Sequence, residues 1–520
     1  MIYSASTIGL TAIPVTIRSV VVPDDRVRSW SSGLRIADSH PQANTVRQRL
    51  AAVLDRAAAG QPRLQCPGRV TISYEPSNQT KPLDGMDLPA VLAILEAMWP
   101  DRFKVEPDSA WWGTMNLDES LGRVEGLLVA AEAWAHKHLI VPLSNQMEAG
   151  LLRQPTRLVH QLADVLSHVL TGKKLLKPVC SKGQPESPCA VDMASLLGNR
   201  KAKRAAEIAA AGGHSAMLLG SQGTGKTMLG QAFAGILPPM TVDEQYEVTR
   251  IYSACGLIPA GQLVTARPFR SVHHSISMQG LVGGGSAGRI CPGEVSLAHK
   301  GVLFVDEAPE FSRNALDALR KPIESGVVHL SRVGVQTILP ASFALLAAAN
   351  PCRCGYSGTY WCSGCQSWSL HRICGCGGVA QERCRCSPVE ARRYQAKLSG
   401  PMLDRIDLRV RMLPLSSRDR LERGESSTIV QQRGVLARER MAVRLKPFGV
   451  RTNATIPPGQ TMVACRFETS GLEAYERLLA SEPMSNRRAD RLVRVAQTIA
   501  DLDGRDITRD DVAEAASFVI

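Results

Sequence analysis

The chain lacks the marks of export and of membrane insertion. Its N-terminal stretch, Met1 to Val22, has neither a basic start nor an uninterrupted apolar core, so no secretory signal is visible. Long hydrophobic runs are also missing. The longest stretch without charge, Val333 to Cys352, has the length to span a bilayer, but Gly334, Gln336, Thr337, Pro340, Ser342 and Asn350 interrupt it. It reads instead as two buried strands and their connection. No internal repeat of solenoid period is present. Acidic residues are in short supply, with 48 Asp and Glu against 61 Lys and Arg, a formal net charge of +13 and a pI near 9.2. That shortage favours polyanionic partners through counterion release and long-range attraction, although charge alone does not separate nucleic acid from an anionic membrane surface. A cytoplasmic protein is expected.

What is there is a globular composition, 44% hydrophobic and 21% charged, in a chain of 520 residues. That length predicts two or three domains. Residues 1–172 mix β-prone runs such as Val70 to Tyr74 with helical stretches such as Leu88 to Met98 and Leu121 to Ala135, which predicts an α/β domain. Residues 173–190 have a linker composition, rich in Lys, Pro, Ser and Gly through Pro188. From Met193 helices alternate with short apolar strands at Ser215 to Leu219, Gly301 to Val305 and Phe343 to Ala348, predicting a parallel sheet covered on both faces over 191–414. In 415–520 the pattern is mostly helical: Leu492, Val493, Val495, Ala496, Ile499 and Leu502 recur at helical spacing, as in a small lid.

The segment Gly220, Ser221, Gln222, Gly223, Thr224, Gly225, Lys226, Thr227 matches the phosphate-loop pattern and lies between an apolar strand and a helix-forming stretch. Glycines there let backbone N–H groups turn toward phosphates, Lys226 reaches the terminal phosphates, and the Thr227 hydroxyl can ligate Mg2+. Downstream, GVLFVDE (301 to 307) delivers Asp306 to hold the metal and Glu307 to polarise the attacking water. ATP and Mg2+ are the expected cofactors. Asn350, at the end of a neighbouring strand, is either a further polar contact to the transferred phosphoryl group or a turn residue before Pro351.

Four strings, AAAGGHSAMLLGSQGTGKTML (209 to 229), RPFRSVHHSISMQGLVGGG (267 to 285), PGEVSLAHKGVLFVDEAPEF (292 to 311) and LSGPMLDRIDL (398 to 408), closely resemble the ComM/YifB family of magnesium-chelatase-like proteins. The resemblance runs from about Val191 to the C-terminus. It implies an AAA+ P-loop αβα core with a helical lid, assembled as a homo-oligomeric, hexameric ring that hydrolyses ATP. It also implies a helicase acting on single-stranded or branched DNA, promoting branch migration in recombination and natural transformation. By position, Arg405 resembles the arginine finger offered to a neighbouring subunit, and Arg487 the sensor 2 arginine of the lid. Solvated arginines without a catalytic role are the alternative. The stretch Ile323 to Pro340 reads as a hairpin resembling one that faces the channel in related rings, making His329 and Arg332 candidates to touch DNA. The pair His273 and His274 reads as structural, since two adjacent histidines alone do not make a metal site.

Two departures from the family stand out. Relatives carry an N-terminal domain of the Lon-C/S5-like type, and here only GMDLPAVLAIL (85 to 95) is similar to it; no serine lies in that string, so protease activity is not expected. The other departure is cysteine. Of 14 cysteines, eight lie within 352–386, and in a reducing compartment such clustering points to metal. Family members often carry C-x-C pairs matching Cys352 and Cys354 with Cys384 and Cys386, which suits a Zn2+ site. Cys362, Cys365, Cys374 and Cys376, with His371 nearby, are additions that suggest a second zinc, with an iron–sulfur cluster or free thiols as alternatives. The competing functional expectation is a metal-chelatase-like ATPase subunit, or a protein-remodelling one. Against the first, the chain shows no D-x-S-x-S string of its own.

Overall fold

The computed structural model describes residues 1–37, 42–60, 64–77, 81–103, 105–178, 191–258, 263–286, 289–332, 335–417, 419 and 423–519, with backbone alone at 286, 289, 332 and 335. Two large sheets organise it. The first is seven-stranded and mixed, with spatial order 34–36, 68–75, 11–23, 2–8, 109–111, 138–142, 156–159. Its centre is an antiparallel meander in which Ile2–Ile8 pairs with Thr11–Pro23, flanked by parallel strands toward 156–159. The helix Asp87–Met98 is buried from Asp87 to Leu95 and carries the apolar run of the GMDLPAVLAIL string into this sheet's core.

That helix begins on a buried ion pair. Asp87, fully buried, takes a bidentate contact from Arg49 at 2.8 Å and a hydrogen bond from the Met115 amide at 3.0 Å. Two hydrogen bonds and the second ion contact compensate the desolvation of the carboxylate, although burial still pushes its pKa up. The expected helix over Leu121 to Ala135 is only partly found. Leu121–Gly122 is a short strand paired with Thr114–Met115, and helix starts at Leu127. The cause is Gly126, whose left-handed backbone (φ 78°) lets the chain turn before the helix. Of the expected linker 173–190, Leu176 bridges to Leu158 and Leu175 packs on the core of the first sheet. Residues 179–190 lie outside the described set.

The second sheet has five strands, all parallel, in the spatial order 269–272, 302–305, 344–349, 216–220, 408–412. Alternation along each strand splits its side chains between two cores. Ala216, Leu218, Val302, Phe304, Leu346, Ala348, Leu408 and Val410 face one; Met217, Leu303, Val305, Leu345, Ala347 and Ala349 face the other. The first core continues without a break into the C-terminal helices through Leu492, Val493, Val495, Ala496 and Ile499. The C-terminal helices, where a lid was expected, are therefore packed onto the sheet layer and not tethered beside it. The second core takes in Ile8, Leu10 and Val129 from the N-terminal part. A polar seam backs that contact: Glu148 bonds the Ser253 hydroxyl, the Gly126 amide donates to the Ser253 carbonyl at 2.9 Å, and Arg250 pairs with Glu132 at 2.9 Å. Among the described residues no helix is long and apolar enough to cross a membrane.

Candidate nucleotide site

Parallel strands present their carboxyl ends on one edge of the sheet, and ligand sites of open α/β sheets lie there. The strand Ala216–Gly220 ends on that edge, and the helix Lys226–Ile236 starts after a loop whose Gly223 and Gly225 have φ of 78° and 88°. An added Cβ at either would meet nothing within 4 Å, so the concavity is open, while the left-handed backbone disfavours any other residue. The first amides of that helix have no intrahelical acceptors and face the cradle with the positive end of the helix dipole. Lys226 Nζ donates to the carbonyls of Gly220 (2.7 Å) and Ser221 (2.8 Å) and to Asn350 Oδ1 (3.1 Å). Burial pulls its pKa down, with Asp306 and Glu307 acting in the opposite direction.

The strand Val302–Val305 brings the acids to the same place. Thr227 Oγ1 donates to Asp306 Oδ2 at 3.0 Å, so one hydroxyl and one carboxylate sit side by side and could hold a largely hydrated Mg2+. Glu307 is one of five non-glycine residues with positive φ among those described, at φ 51°, and its amide donates to Asp306 Oδ1 at 2.9 Å. That left-handed turn separates the two carboxylates, Asp306 being fixed beside Thr227 and Glu307 exposed at the mouth. Gly301 sets the depth of the strand: a Cβ there would strike the Pro268 carbonyl, which accepts from the Val302 amide at 2.7 Å.

Beside the loop lies a cavity of about 170 Å³ lined by Leu196, Leu197, Met228, Leu229, Met412 and Leu415. It is apolar and adjoins Gly223 to Gly225, which suits a nucleobase next to phosphates. Asn199, also left-handed at φ 46°, holds its far wall by accepting from the Leu413 amide (2.9 Å) and donating to the Leu413 carbonyl (3.0 Å). None of these residues was a sequence candidate. They come from three distant segments, and the only local signal was the turn before the helix Arg200–Gly212.

The magnesium-chelatase subunit ChlI family model matches residues 192–371 and 369–420, and the ChlI C-terminal model matches 424–518. The chain is 37% identical over 462 residues to a Mycobacterium tuberculosis protein, covering 86% of each. It is 36% identical over 458 residues to YifB of Escherichia coli and 34% over 464 to the competence protein ComM of Haemophilus influenzae, covering 86% of this chain and 85% of each relative. The chain belongs to the magnesium-chelatase-like family of YifB and ComM. Membership in this AAA+ type implies ATP and Mg2+. The residues present fit both, through the open glycine cradle, the partly buried lysine and the Thr227–Asp306 pair.

The two arginines singled out by the ComM/YifB resemblance meet elsewhere. Arg405, 12% exposed, pairs with Glu324 at 2.8 Å and donates to the Pro401 carbonyl, while exposed Arg487 reaches the same Glu324 at 3.6 Å. Buried Arg491, which sequence reasoning passed over, ties the lid helix Asn486–Asp503 to the Ile406 carbonyl at 2.6 Å. Next to it, His214 joins Asp407 (3.3 Å) to Thr498 (2.8 Å), and the Ser215 hydroxyl donates to the Arg405 carbonyl at 2.6 Å. The segment carrying Arg405 is thereby bonded both to the start of the phosphate-loop strand and to the lid.

The hairpin is present, with Val327–Arg332 paired to Val335–Pro340. Val328, Leu330, Thr337 and Leu339 face inward; His329, Ser331, Gln336 and Ile338 are exposed. The side chain of Arg332, like residues 333 and 334, lies outside the described set. A second hairpin, Gly283–Ser286 with Arg289–Pro292, packs alongside, where an added Cβ at Gly283 would lie 3.3 Å from Leu330. The rings of His273 and His274 are tilted by 39° with centroids 4.0 Å apart and belong to no metal-binding group among the described residues. The eight clustered cysteines fall into two groups, Cys352, Cys354, Cys384, Cys386 and Cys362, Cys365, Cys374, Cys376, in each of which the sulfurs lie within 4.8 Å of one another.

Proposed function

We propose that this chain is a ring-forming, ATP-driven DNA motor acting on single-stranded or branched DNA during recombination or natural transformation. The observation that carries the ATPase part is the convergence of Lys226, Thr227, Asp306, Glu307 and Asn350 on one sheet edge. Lys226 and the loop amides orient the terminal phosphates, Thr227 and Asp306 hold the metal, and Glu307 positions a water; bound Mg2+ supplies charge neutralisation. Arg405 completes the site of the next subunit once Glu324 releases it, which makes hydrolysis dependent on assembly into the hexameric ring.

For DNA the support is the basic balance of the chain, the exposed hairpin face at His329 and its neighbours, and the likeness to a protein named for competence. A polyanion threaded past the hairpin gains from the +13 charge through counterion release. The test is the ATPase rate of purified chain with and without single-stranded and forked DNA at two salt concentrations. Stimulation that weakens with salt is expected. A rate indifferent to every DNA, but raised by a protein partner, would favour a chelatase-like or remodelling subunit instead.

A further inference from the structure

The cysteine-rich insertion, 352–386, is unlike the rest of the molecule in being held by little apolar burial. Its own core is Cys362, Cys374 and Ala380 with Tyr360 and Cys365 against them. A segment of this size without a core needs covalent or metal cross-links. The sulfur spacing tells which. Around one tetrahedral zinc, with Zn–S near 2.3 Å, sulfurs lie about 3.8 Å apart, whereas a disulfide brings them to about 2.05 Å. In the first group Cys352 lies 3.3 Å from Cys354 and 3.7 Å from Cys384, and Cys354 lies 3.6 Å from Cys384. In the second, Cys362 to Cys376 is 3.6 Å and Cys365 to Cys374 is 3.4 Å. These distances are near those of the edges of such a tetrahedron and far from a disulfide bond. An iron–sulfur cluster distributes its thiolates over several irons and holds them farther apart than the sulfurs of either group.

Surrounding amides fit the same reading. Ser357 N donates to Cys352 Sγ at 3.3 Å and Arg385 N to Cys354 Sγ at 3.5 Å, the outer-shell bonds that orient thiolate ligands. Gly355 and Gly377, both at φ 82°, make the tight returns after Cys354 and Cys376.

We propose that the insertion holds two zinc ions, one per group, and that the inner one, at Cys352, Cys354, Cys384 and Cys386, splints the nucleotide site. Cys352 follows Asn350 by two residues, and Asn350 bonds Lys226. Gly355 lies against the phosphate loop so closely that a Cβ would sit 3.1 Å from Ser221 Cα. Directly after Cys386, the Ser387–Glu390 capping box starts the helix Pro388–Gln395, and Gln395 donates back to the Pro351 carbonyl at 2.9 Å. One ion therefore fixes both ends of the insertion against the loop that holds phosphate. The outer ion, at Cys362, Cys365, Cys374 and Cys376, orders the tip alone. Charge argues against the insertion being a DNA-binding face: each zinc with four thiolates carries two net negative charges, which offset Arg353, Arg372, Arg383 and Arg385.

The splint rests on the ATP-site reading, but the metal count does not. Elemental analysis of full-length protein purified under reducing, zinc-replete conditions is expected to give two zincs per chain, and cobalt substitution two equivalents with the visible bands of tetrahedral thiolate coordination. Fewer than two metals, or iron in their place, overturns the proposal, whatever any variant does. C362S/C376S should keep one zinc and bind a fluorescent ATP analogue as the native chain does. C352S/C384S should also keep one zinc yet bind about tenfold more weakly, equal to about 1.4 kcal/mol. Equal affinities for the two variants overturn the splint. Lys226→Ala keeping both zincs while losing nucleotide would show the two claims to be separate.

Discussion

Glu307 makes a prediction in which stability and activity move in opposite directions. Its backbone is left-handed at φ 51°, a conformation that costs a residue with a Cβ about 1–2 kcal/mol. Glycine is free of that cost, although at ordinary positions it is worse than alanine by about 0.5–1 kcal/mol because the unfolded chain gains freedom. Here the first term exceeds the second. Glu307→Gly should therefore be more stable than Glu307→Ala by roughly 0.5–1 kcal/mol, reversing the usual order. For a domain of this size that is a rise in melting temperature of about 1–4 °C. Both variants should lose hydrolysis by about 10²–10⁴, since the carboxylate that positions water is gone. Nucleotide affinity should hold, because Lys226, Thr227 and Asp306 are untouched. Differential scanning calorimetry and equilibrium binding of a fluorescent analogue measure the two sides. An alanine variant melting at or above the glycine one, or either variant turning over at the native rate, would refute the reasoning.

Three further predictions are independent of that one. Lys226→Ala should abolish hydrolysis and weaken nucleotide binding, since Lys226 is the cation bonded into the loop among the described residues; near-native turnover in a phosphate-release assay would move the site elsewhere. Arg405→Ala should silence hydrolysis in assembled protein while single-chain nucleotide binding persists; equal loss of both makes Arg405 a support for Glu324 only. His299 should make stability fall on acidification. It is buried, accepts from the Ser342 amide at 3.0 Å and bonds Glu247 at 3.2 Å; burial, aided by Lys300, holds its pKa down to about 4 against 6.5 unfolded. The unfolded chain takes the proton first, so this contribution is full above pH 6.5 and lost as pH falls toward 4, amounting to about 3 kcal/mol. Denaturant titrations across that window should be flatter for His299→Gln.

How much of this was written in the sequence depends on whether a feature is local. The phosphate loop is legible because glycine at 223 and 225 records a backbone conformation, and the acids because an apolar strand announces where they end. The pairing of Cys352 and Cys354 with Cys384 and Cys386 came from the family resemblance, and the sulfurs are grouped that way in space. The apolar cavity beside the loop was not legible, since Leu196, Met228 and Met412 are neighbours only after the sheet is assembled. Nor was the seam of Ser253 with Glu148 and Gly126, whose partners are more than 100 residues apart. The helix over Leu121 to Ala135 was misread because its apolar spacing outweighed Gly122 and Gly126, which break it.

The most direct measurement of the central claim is displacement of a labelled strand from forked DNA by full-length protein, run with ATP, with a non-hydrolysable analogue, and with Glu307→Gln. Displacement only by the native chain with ATP is the expected result. Hydrolysis of ATP with no strand ever moving, across forked and branched substrates, would contradict the account of a DNA motor.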